Sequence, residues 1–148
     1  MPIRFLSEKD LESLAITTGD VVAAIESLLR GLATNSVWCA PKAVMLPPDG
    51  RYMMAALAAA DDPPLLAVKT VILNPANAER GIPLINGVVT LLDSHTGLPV
   101  GVVDGNWVTA VRTAGLSAVA ARAMARPDSA VAAFIGCGVQ ARSHLTAF

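Results

Sequence analysis

The stretch AVAAFIGCGVQARSHLTAF, residues 130–148, decides the fold of this chain because it places a glycine turn between an apolar run and a helix. Residues 130–135 are small and apolar and predict a short β-strand, which leads directly into Gly136 and Gly138. From Val139 onward the composition predicts a helix. Two glycines at this spacing permit a tight turn and a close approach of the backbone to a pyrophosphate, which the helix N-terminus then attracts. The order predicts the first βα unit of a dinucleotide-binding fold.

A G-x-G turn is also found in ordinary tight turns, so the nucleotide interpretation and the plain turn both remain open on this stretch alone. A short linker begins at Pro127 and marks the domain boundary. We therefore expect one domain over residues 1–126 and an incomplete start of a dinucleotide-binding domain over residues 127–148. The predicted fold class is α/β, in which residues 127–148 form a truncated Rossmann unit of one strand, the G-x-G turn and the start of a helix.

The composition limits the classes of partner. A net charge of −1, from 11 basic and 12 acidic residues, provides no electrostatic surface for nucleic acid or an anionic membrane. A hydrophobic fraction of 53% with only 16% charged residues predicts that part of the surface is buried against another chain. We therefore expect small-molecule chemistry or association with another protein.

Targeting segments and metal sites leave recognisable patterns in a sequence. Charged residues interrupt the longer apolar stretches, so no transmembrane segment is predicted; they stand at Lys69, Asp93, Asp104 and Arg112. The N-terminus has no basic region followed by an apolar core, and a cytoplasmic location is expected. The two cysteines and two histidines lack companion ligands, so no metal site is predicted; they are Cys39, Cys137, His95 and His144. No serine or cysteine stands in an elbow motif such as G-x-S-x-G, so a hydrolase is not predicted either.

The upstream pattern predicts alternating helices and strands. Ser7 is placed to cap a first helix, and Asp20 to cap a second helix with one apolar face. Short β-rich segments predict strands at residues 42–46, 52–57 and 65–73, a hairpin formed by residues 87–92 and 98–103, and an alanine-rich helix over residues 107–126.

Two cations in these elements are candidates for binding an anion. Lys69 lies in the middle of an apolar strand, where it is either buried and in need of an anionic partner or exposed at a sheet edge. Arg112 lies among small apolar residues of the predicted helix, where its guanidinium suits a carboxylate or phosphate. The alternative is a surface arginine in a polar stripe with Arg122 and Arg126.

Two motifs in this order narrow the possibilities: VDGNWVTAVRTA at residues 103–114 and IGCGVQARSH at residues 135–144. Together they closely resemble the ornithine cyclodeaminase and mu-crystallin family, and the resemblance covers the whole chain. It implies a substrate-binding and dimerising α+β domain, a homodimer, and a Rossmann domain that binds NAD or NADP. The sequence given resembles the first domain and one βα corner of the second.

The resemblance also implies roles for individual residues. Lys42, Lys69 and Arg112 match the cations that hold the substrate carboxylate, with Lys69 as the catalytic residue. Many family members carry arginine where Lys42 stands, which is a departure in this chain. The positions that match those at or near the nicotinamide nucleotide are Asn86, Arg112, Thr113, Gly136, Gly138, Val139 and Gln140.

The function implied by the resemblance is an NAD(P)-dependent reductase or dehydrogenase of a small cyclic imino acid or amino acid, of the ketimine reductase type. Cyclodeaminases carry a glutamate in the strand that matches residues 51–55, where this chain has no acid, so ornithine cyclodeaminase is the second hypothesis. A third hypothesis is a truncated, catalytically silent module that dimerises and binds carboxylates. The acid/base residue and the residues that choose NAD or NADP would lie in the remaining part of the Rossmann domain.

Overall fold

One mixed β-sheet organises the chain in the computed structural model, which describes residues 2–148. The elements in chain order are β1 (Arg4–Leu6), α1 (Glu8–Ser13), α2 (Thr18–Thr34), β2 (Val37–Cys39), β3 (Ala43–Met45), β4 (Tyr52–Asp61), β5 (Pro64–Leu73), a 3₁₀ turn (Pro75–Asn77), β6 (Ile85–Asp93), β7 (Pro99–Asp104), α3 (Gly105–Met124) and α4 (Val139–Ala147). The predicted hairpin is confirmed as the antiparallel pair β6 and β7. The expected mixed α/β character is confirmed as well.

The sheet contains seven strands in the order β1-β7-β6-β5-β4-β2, with β3 also pairing with β4. All pairs are antiparallel except β1 with β7. The centre is formed by β4, β5 and β6, where Lys69 stands between Ala56 and Val89. Because directly paired residues project to the same face of a sheet, this register places Lys69 on the face that carries Val89.

The helices cover that face. Leu11 of α1 forms a buried cluster with Val89 and Val103, and Trp107 and Val108 of α3 pack against it. On the opposite face large apolar side chains remain exposed; they are Phe5, Trp38, Met45, Met53, Leu57, Ile72 and Val88. We call these seven residues the uncovered sheet face. A sheet with one covered and one uncovered apolar face has a surface suited to association.

Local hydrogen bonds explain where the helices begin. Ser7 caps α1 as expected, in a capping box with Asp10. The prediction that Asp20 caps the second helix is wrong: Thr17 is the N-cap, and the Asp20 carboxylate accepts its backbone N–H at 2.9 Å. The acid is therefore the N3 residue of the same kind of box. The long helix begins at Gly105, two residues before the predicted start, because Asp104 accepts from the N–H of Trp107 at 2.8 Å.

The strand predicted at residues 130–135 is not formed in the structure, and these residues are exposed without regular structure. The physical reason is that a strand exists through its neighbours, and no strand in the described part of the chain pairs with this segment. The helix predicted after the glycines is formed as α4. Among residues 2–148, no helix combines the length and the apolar character that crossing a membrane requires.

Candidate functional site

Lys69 is the central residue of the candidate site. Its strand, β5, is hydrogen-bonded on both sides, so the edge-strand interpretation of this lysine is wrong. The Nζ atom is buried and has no hydrogen-bond partner within residues 2–148. Burial, followed by the positive charges of Arg112 and Lys42, lowers the pKa of Lys69 from 10.5 to about 8. A buried ammonium that lacks an anionic partner is unfavourable for stability and therefore indicates a functional role.

The sheet and α3 bring two further cations to Lys69. Lys42 precedes β3, in which Ala43 pairs with Ala55, so Lys42 lies level with Ala56, the cross-strand partner of Lys69. Arg112 comes from α3 and is exposed. The positive charges of Lys42 and Arg112 both lower the pKa of Lys69, so the fold brings the three cations within electrostatic range of one another.

None of these three cations forms an ion pair with a carboxylate of residues 2–148. The four ion pairs there join other residues: Arg30–Glu26, Arg51–Asp49, Arg122–Glu26 and Arg126–Asp128. Arg122 and Arg126 are therefore partnered surface residues, whereas Arg112 is exposed without such a partner among residues 2–148. Three positive charges without an intramolecular counter-ion form a place where a small anion binds favourably.

The first turn of α3 is seated directly on the sheet. A Cβ atom on Gly105 would lie 2.4 Å from the backbone carbon of Gly87, so the helix approaches β6 as closely as backbones allow. Beside this contact, Asn106 Nδ2 donates to Asn86 Oδ1 at 3.2 Å, and Asn86 Nδ2 donates to the Pro83 carbonyl at 2.8 Å. Asn106 Oδ1 is buried without a partner among the described residues. The structure thus adds Asn106 to the predicted Asn86.

The glycine turn is open and precedes an uncapped helix. Gly136 has a φ of +104°, which favours glycine, and added Cβ atoms on Gly136 and Gly138 would meet nothing within 4 Å. Gly138 is the N-cap of α4 and offers no side-chain cap to the N–H groups that begin at Val139. Free N–H groups at an open helix N-terminus are suited to an anionic group such as a pyrophosphate.

Thr113 and Gln140 meet at one backbone oxygen. The carbonyl of Thr109 in α3 accepts from Thr113 Oγ1 at 2.7 Å and from Gln140 Nε2 at 3.3 Å. Arg112 immediately precedes Thr113, so the start of α4 lies beside the part of α3 that carries this arginine. Thr113, Gln140 and Arg112 therefore lie in the same region, around the Thr109 carbonyl. Asn86 lies instead at the contact between the first turn of α3 and β6.

His144 has a partner that the sequence did not predict. Its Nε2 atom lies 2.9 Å from Ser117 Oγ on α3, and its Nδ1 atom lies 2.6 Å from the backbone oxygen of Gln140. The separation of 27 residues between Ser117 and His144 hides this contact from any local pattern. The i, i+4 spacing of Gln140 and His144 was its one local signal. Within residues 2–148, no cluster of three or more histidine, cysteine, aspartate or glutamate side chains could hold a metal.

A helix-covered sheet with three converging cations and a glycine turn on an adjoining helix defines an α/β domain equipped for small anions. The chain belongs to the ornithine cyclodeaminase/mu-crystallin family, whose family model matches residues 3–148. It is 32% identical to alanine dehydrogenase of Archaeoglobus fulgidus, over 99% of this chain and 44% of that protein. It is 44% identical to L-lysine cyclodeaminase of Streptomyces rapamycinicus, over 51% of this chain and 22% of that protein.

The fold also matches solved structures. The structure of Thermococcus litoralis Delta(1)-pyrroline-2-carboxylate reductase in complex with NADH and L-proline superimposes with a TM-score of 0.92 and 33% identity, covering 98% of this chain and 45% of that one. The chain therefore spans less than half the length of the relatives that it matches from end to end. The proteins that it resembles, over all or half of its length, include dehydrogenases, reductases and cyclodeaminases of amino and imino acids.

Proposed function

We propose that this chain is the substrate-binding part of an NAD(P)-dependent reductase or dehydrogenase that acts on a small imino or amino acid, of the ketimine reductase type. The observation that carries the proposal is the convergence of Lys42 and Arg112 on the buried, unpaired Lys69. The substrate carboxylate would supply the negative charge that no carboxylate of residues 2–148 brings to these cations. L-proline, which is bound to the Thermococcus reductase, is a carboxylate of suitable size.

Each cation would act differently on the substrate. The Arg112 guanidinium would hold the carboxylate through two parallel N–H donors, whereas Lys42 would contribute a single point charge. Lys69 would be the catalytic residue, because a pKa of about 8 allows its Nζ atom to hold or release a proton near neutral pH. Fixing the carboxylate at these atoms would also orient the neighbouring carbon and nitrogen of the substrate.

The residues present fit part of a dinucleotide. The open turn at Gly136 and Gly138 and the uncapped start of α4, from Val139, suit the pyrophosphate, while Gln140 and Thr113 lie next to Arg112. When bound, a nicotinamide would supply or take up the hydride. The segment 130–135, which precedes the turn, forms no strand, so we propose that the activity belongs to a form with a complete cofactor domain.

The cyclodeaminase hypothesis is less well supported by the strand beside the site. In β4 the position next to Lys69 is Ala56, and the single carboxylate of the strand is Asp61, at its far end. This strand offers no acid near the cations to hold a second amino group, such as that of ornithine. A silent, dimerising carboxylate-binding module remains the alternative, because the segment before the glycine turn is exposed.

The decisive substitution for the proposed function is Arg112→Ala. It should weaken L-proline binding by about 10- to 100-fold, because a hydrogen bond to a charged group contributes about 1.5–3 kcal/mol. NADH binding should weaken with it, since Arg112 adjoins Thr113 and the start of α4. Titration calorimetry with L-proline and NADH measures both effects.

Two controls make this experiment specific. Arg122→Ala removes an arginine from the same helix, but one that is paired with Glu26 at 2.9 Å, and should leave both affinities unchanged. L-prolinamide, which lacks the carboxylate, should bind equally weakly to the original chain and to Arg112→Ala. Unchanged L-proline binding by Arg112→Ala would contradict the site. L-proline binding without any NADH binding would favour the silent module.

We also propose that the uncovered sheet face is the homodimer interface. It exposes Leu57 by 52% and Ile72 by 43% in the middle of the sheet, and the archaeal alanine dehydrogenase structure is described as a dimer. Leu57→Glu should convert the protein to a monomer, because burying an unpaired carboxylate in an apolar interface is unfavourable. Analytical ultracentrifugation measures the mass. Leu98→Glu, at an exposed leucine of the β6–β7 loop that is not among the seven residues of this face, should remain dimeric; dissociation of both variants alike would refute the assignment.

A further inference from the structure

His144 joins α4 to α3 through a defined ring tautomer. The backbone oxygen of Gln140, 2.6 Å from Nδ1, can only accept a hydrogen bond, so Nδ1 carries the proton of the neutral ring. Nε2 is then an acceptor, and the Ser117 hydroxyl, 2.9 Å away, donates to it. Both ring nitrogens are therefore used, one within α4 and one across to α3. We call these two hydrogen bonds, which join Gln140, His144 and Ser117, the histidine clamp.

A second hydrogen bond joins α4 to α3, at the start of α4. Gln140 Nε2 donates to the Thr109 carbonyl at 3.3 Å, so α4 is tied to α3 at two levels. The earlier residue of α4, Gln140, contacts the earlier residue of α3, Thr109, and the later residue, His144, contacts the later one, Ser117. The two helices therefore run in the same direction. The N-terminus of α4, with its open glycine turn, is thereby held beside the half of α3 that carries Arg112.

The helix depends on such a tie because it has little stability of its own. It contains nine residues, its N-cap Gly138 makes no side-chain capping bond, and the segment before it forms no strand. Isolated helices shorter than about 12–15 residues are marginal in water. Two of its apolar residues, Val139 and Leu145, are both 68% exposed, so they contribute little apolar packing. Its position on α3 must therefore come from specific contacts.

We propose that His144 is a positioning residue that, as the neutral Nδ1–H tautomer, fixes the glycine turn of residues 136–138 against the Arg112 region of α3. The consequence for cofactor binding rests on the proposed function, whereas the clamp itself concerns only the two helices. Loss of the Ser117 bond should let α4 open locally more often while the sheet and α3 stay folded.

The first experiment examines the ring directly. Long-range ¹H–¹⁵N correlation spectra of the chain at neutral pH should show the His144 ring protonated at Nδ1 and unprotonated at Nε2. A ring protonated at Nε2 alone, or at both nitrogens, would overturn the proposal, since the Ser117 hydroxyl would then have no lone pair to donate to.

The second experiment is a double-mutant cycle read by hydrogen exchange of the α4 amides. Ser117→Ala removes the donor, and His144→Asn keeps an N–H for the Gln140 oxygen but does not reach α3. Each should speed α4 exchange by about five-fold, the equivalent of one ordinary hydrogen bond. The double variant should be no faster than either single variant, because both remove the same bond. Additive effects, or unchanged exchange, would overturn the proposal.

Ser143→Ala is the matched control. Ser143 is also a serine of α4, next to His144, but its Oγ donates within α4 to the Val139 carbonyl at 3.0 Å. Hydrogen exchange of the α4 amides in Ser143→Ala should therefore stay close to that of the original chain. NADH titration of the same variants separates the two proposals. If the original chain binds NADH, Ser117→Ala should weaken that binding; if it does not, NADH binding requires the complete cofactor domain, as the proposed function states, and the spectra and the exchange cycle decide the clamp by themselves.

Discussion

Lys69→Met is expected to make the protein more stable and to remove its affinity for carboxylates. Methionine matches the apolar part of the lysine stem, while the buried ammonium without a partner disappears. We expect unfolding in urea to show a gain of about 1–2 kcal/mol near pH 7, because a pKa shift of one unit corresponds to about 1.4 kcal/mol and solvent partly screens this half-buried lysine. L-proline binding should fall by roughly 100-fold, since a central charged donor is lost.

The pH dependence of stability provides a second test of the same lysine. Burial lowers the pKa of Lys69 in the folded protein from 10.5 to about 8. Below pH about 8 the lysine is charged in both states, so its full destabilising effect is present and does not change with pH. Between about pH 8 and 10.5 the unfolded chain binds more protons, so this residue makes stability rise with pH, and above that range its contribution is constant.

The difference between the original chain and Lys69→Met isolates this effect from all other titrating groups. The stability advantage of the variant should therefore shrink as the pH rises from about 8 to 10.5. Lys9→Met, at an exposed position in α1, serves as the control and should change neither stability nor L-proline binding appreciably. A destabilised Lys69→Met variant, or an advantage that is constant with pH, would show that Lys69 is adequately solvated or paired.

The elements that the sequence predicted correctly are those whose signals are local. Ser7 predicted the N-cap of α1, and the two β-rich runs on either side of a short glycine-containing connection predicted the β6–β7 hairpin. Lys69 was correctly placed on a strand, but its burial depended on neighbours in the sheet. Only the central position of β5, between two other strands, distinguishes a buried cation from an edge lysine.

The remaining features depend on pairing over long distances in the chain. The three-residue strands β1 and β2 exist because β7 and β4 offer free edges, and neither has a pattern long enough to be recognised. Conversely, residues 130–135 have a strand composition but no strand to pair with. The contact of His144 with Ser117 and the close seat of Gly105 on Gly87 likewise join residues far apart in sequence. Such contacts follow from the assembled fold.

The close backbone contact of Gly105 with Gly87 determines where α3 lies and therefore where Arg112 lies relative to Lys69. A Cβ on Gly105 would lie 2.4–2.6 Å from backbone atoms of Gly87 and Val88, which cannot rotate away as a side chain can. A Cβ on Gly87 would in turn lie 2.3 Å from the Thr70 carbonyl oxygen. Backbones are thus stacked closely at this point, and the start of α3 has no room to accommodate even a methyl group.

Gly105→Ala should therefore destabilise the protein by about 3 kcal/mol or more, at the upper end of the range for overpacked positions, and lower the melting temperature accordingly. The strain should lift the first turn of α3 from β6, so L-proline affinity should fall as well because Arg112 moves away from Lys69.

Gly19→Ala is the matched control: its Cβ would meet Thr17 Oγ1 at an ordinary 3.5 Å, and alanine in a helix should stabilise by about 0.5–1 kcal/mol. Calorimetric melting and L-proline titration of both variants measure these effects; if Gly105→Ala melts at the temperature of the original chain and keeps its affinity, the close seat does not position the site.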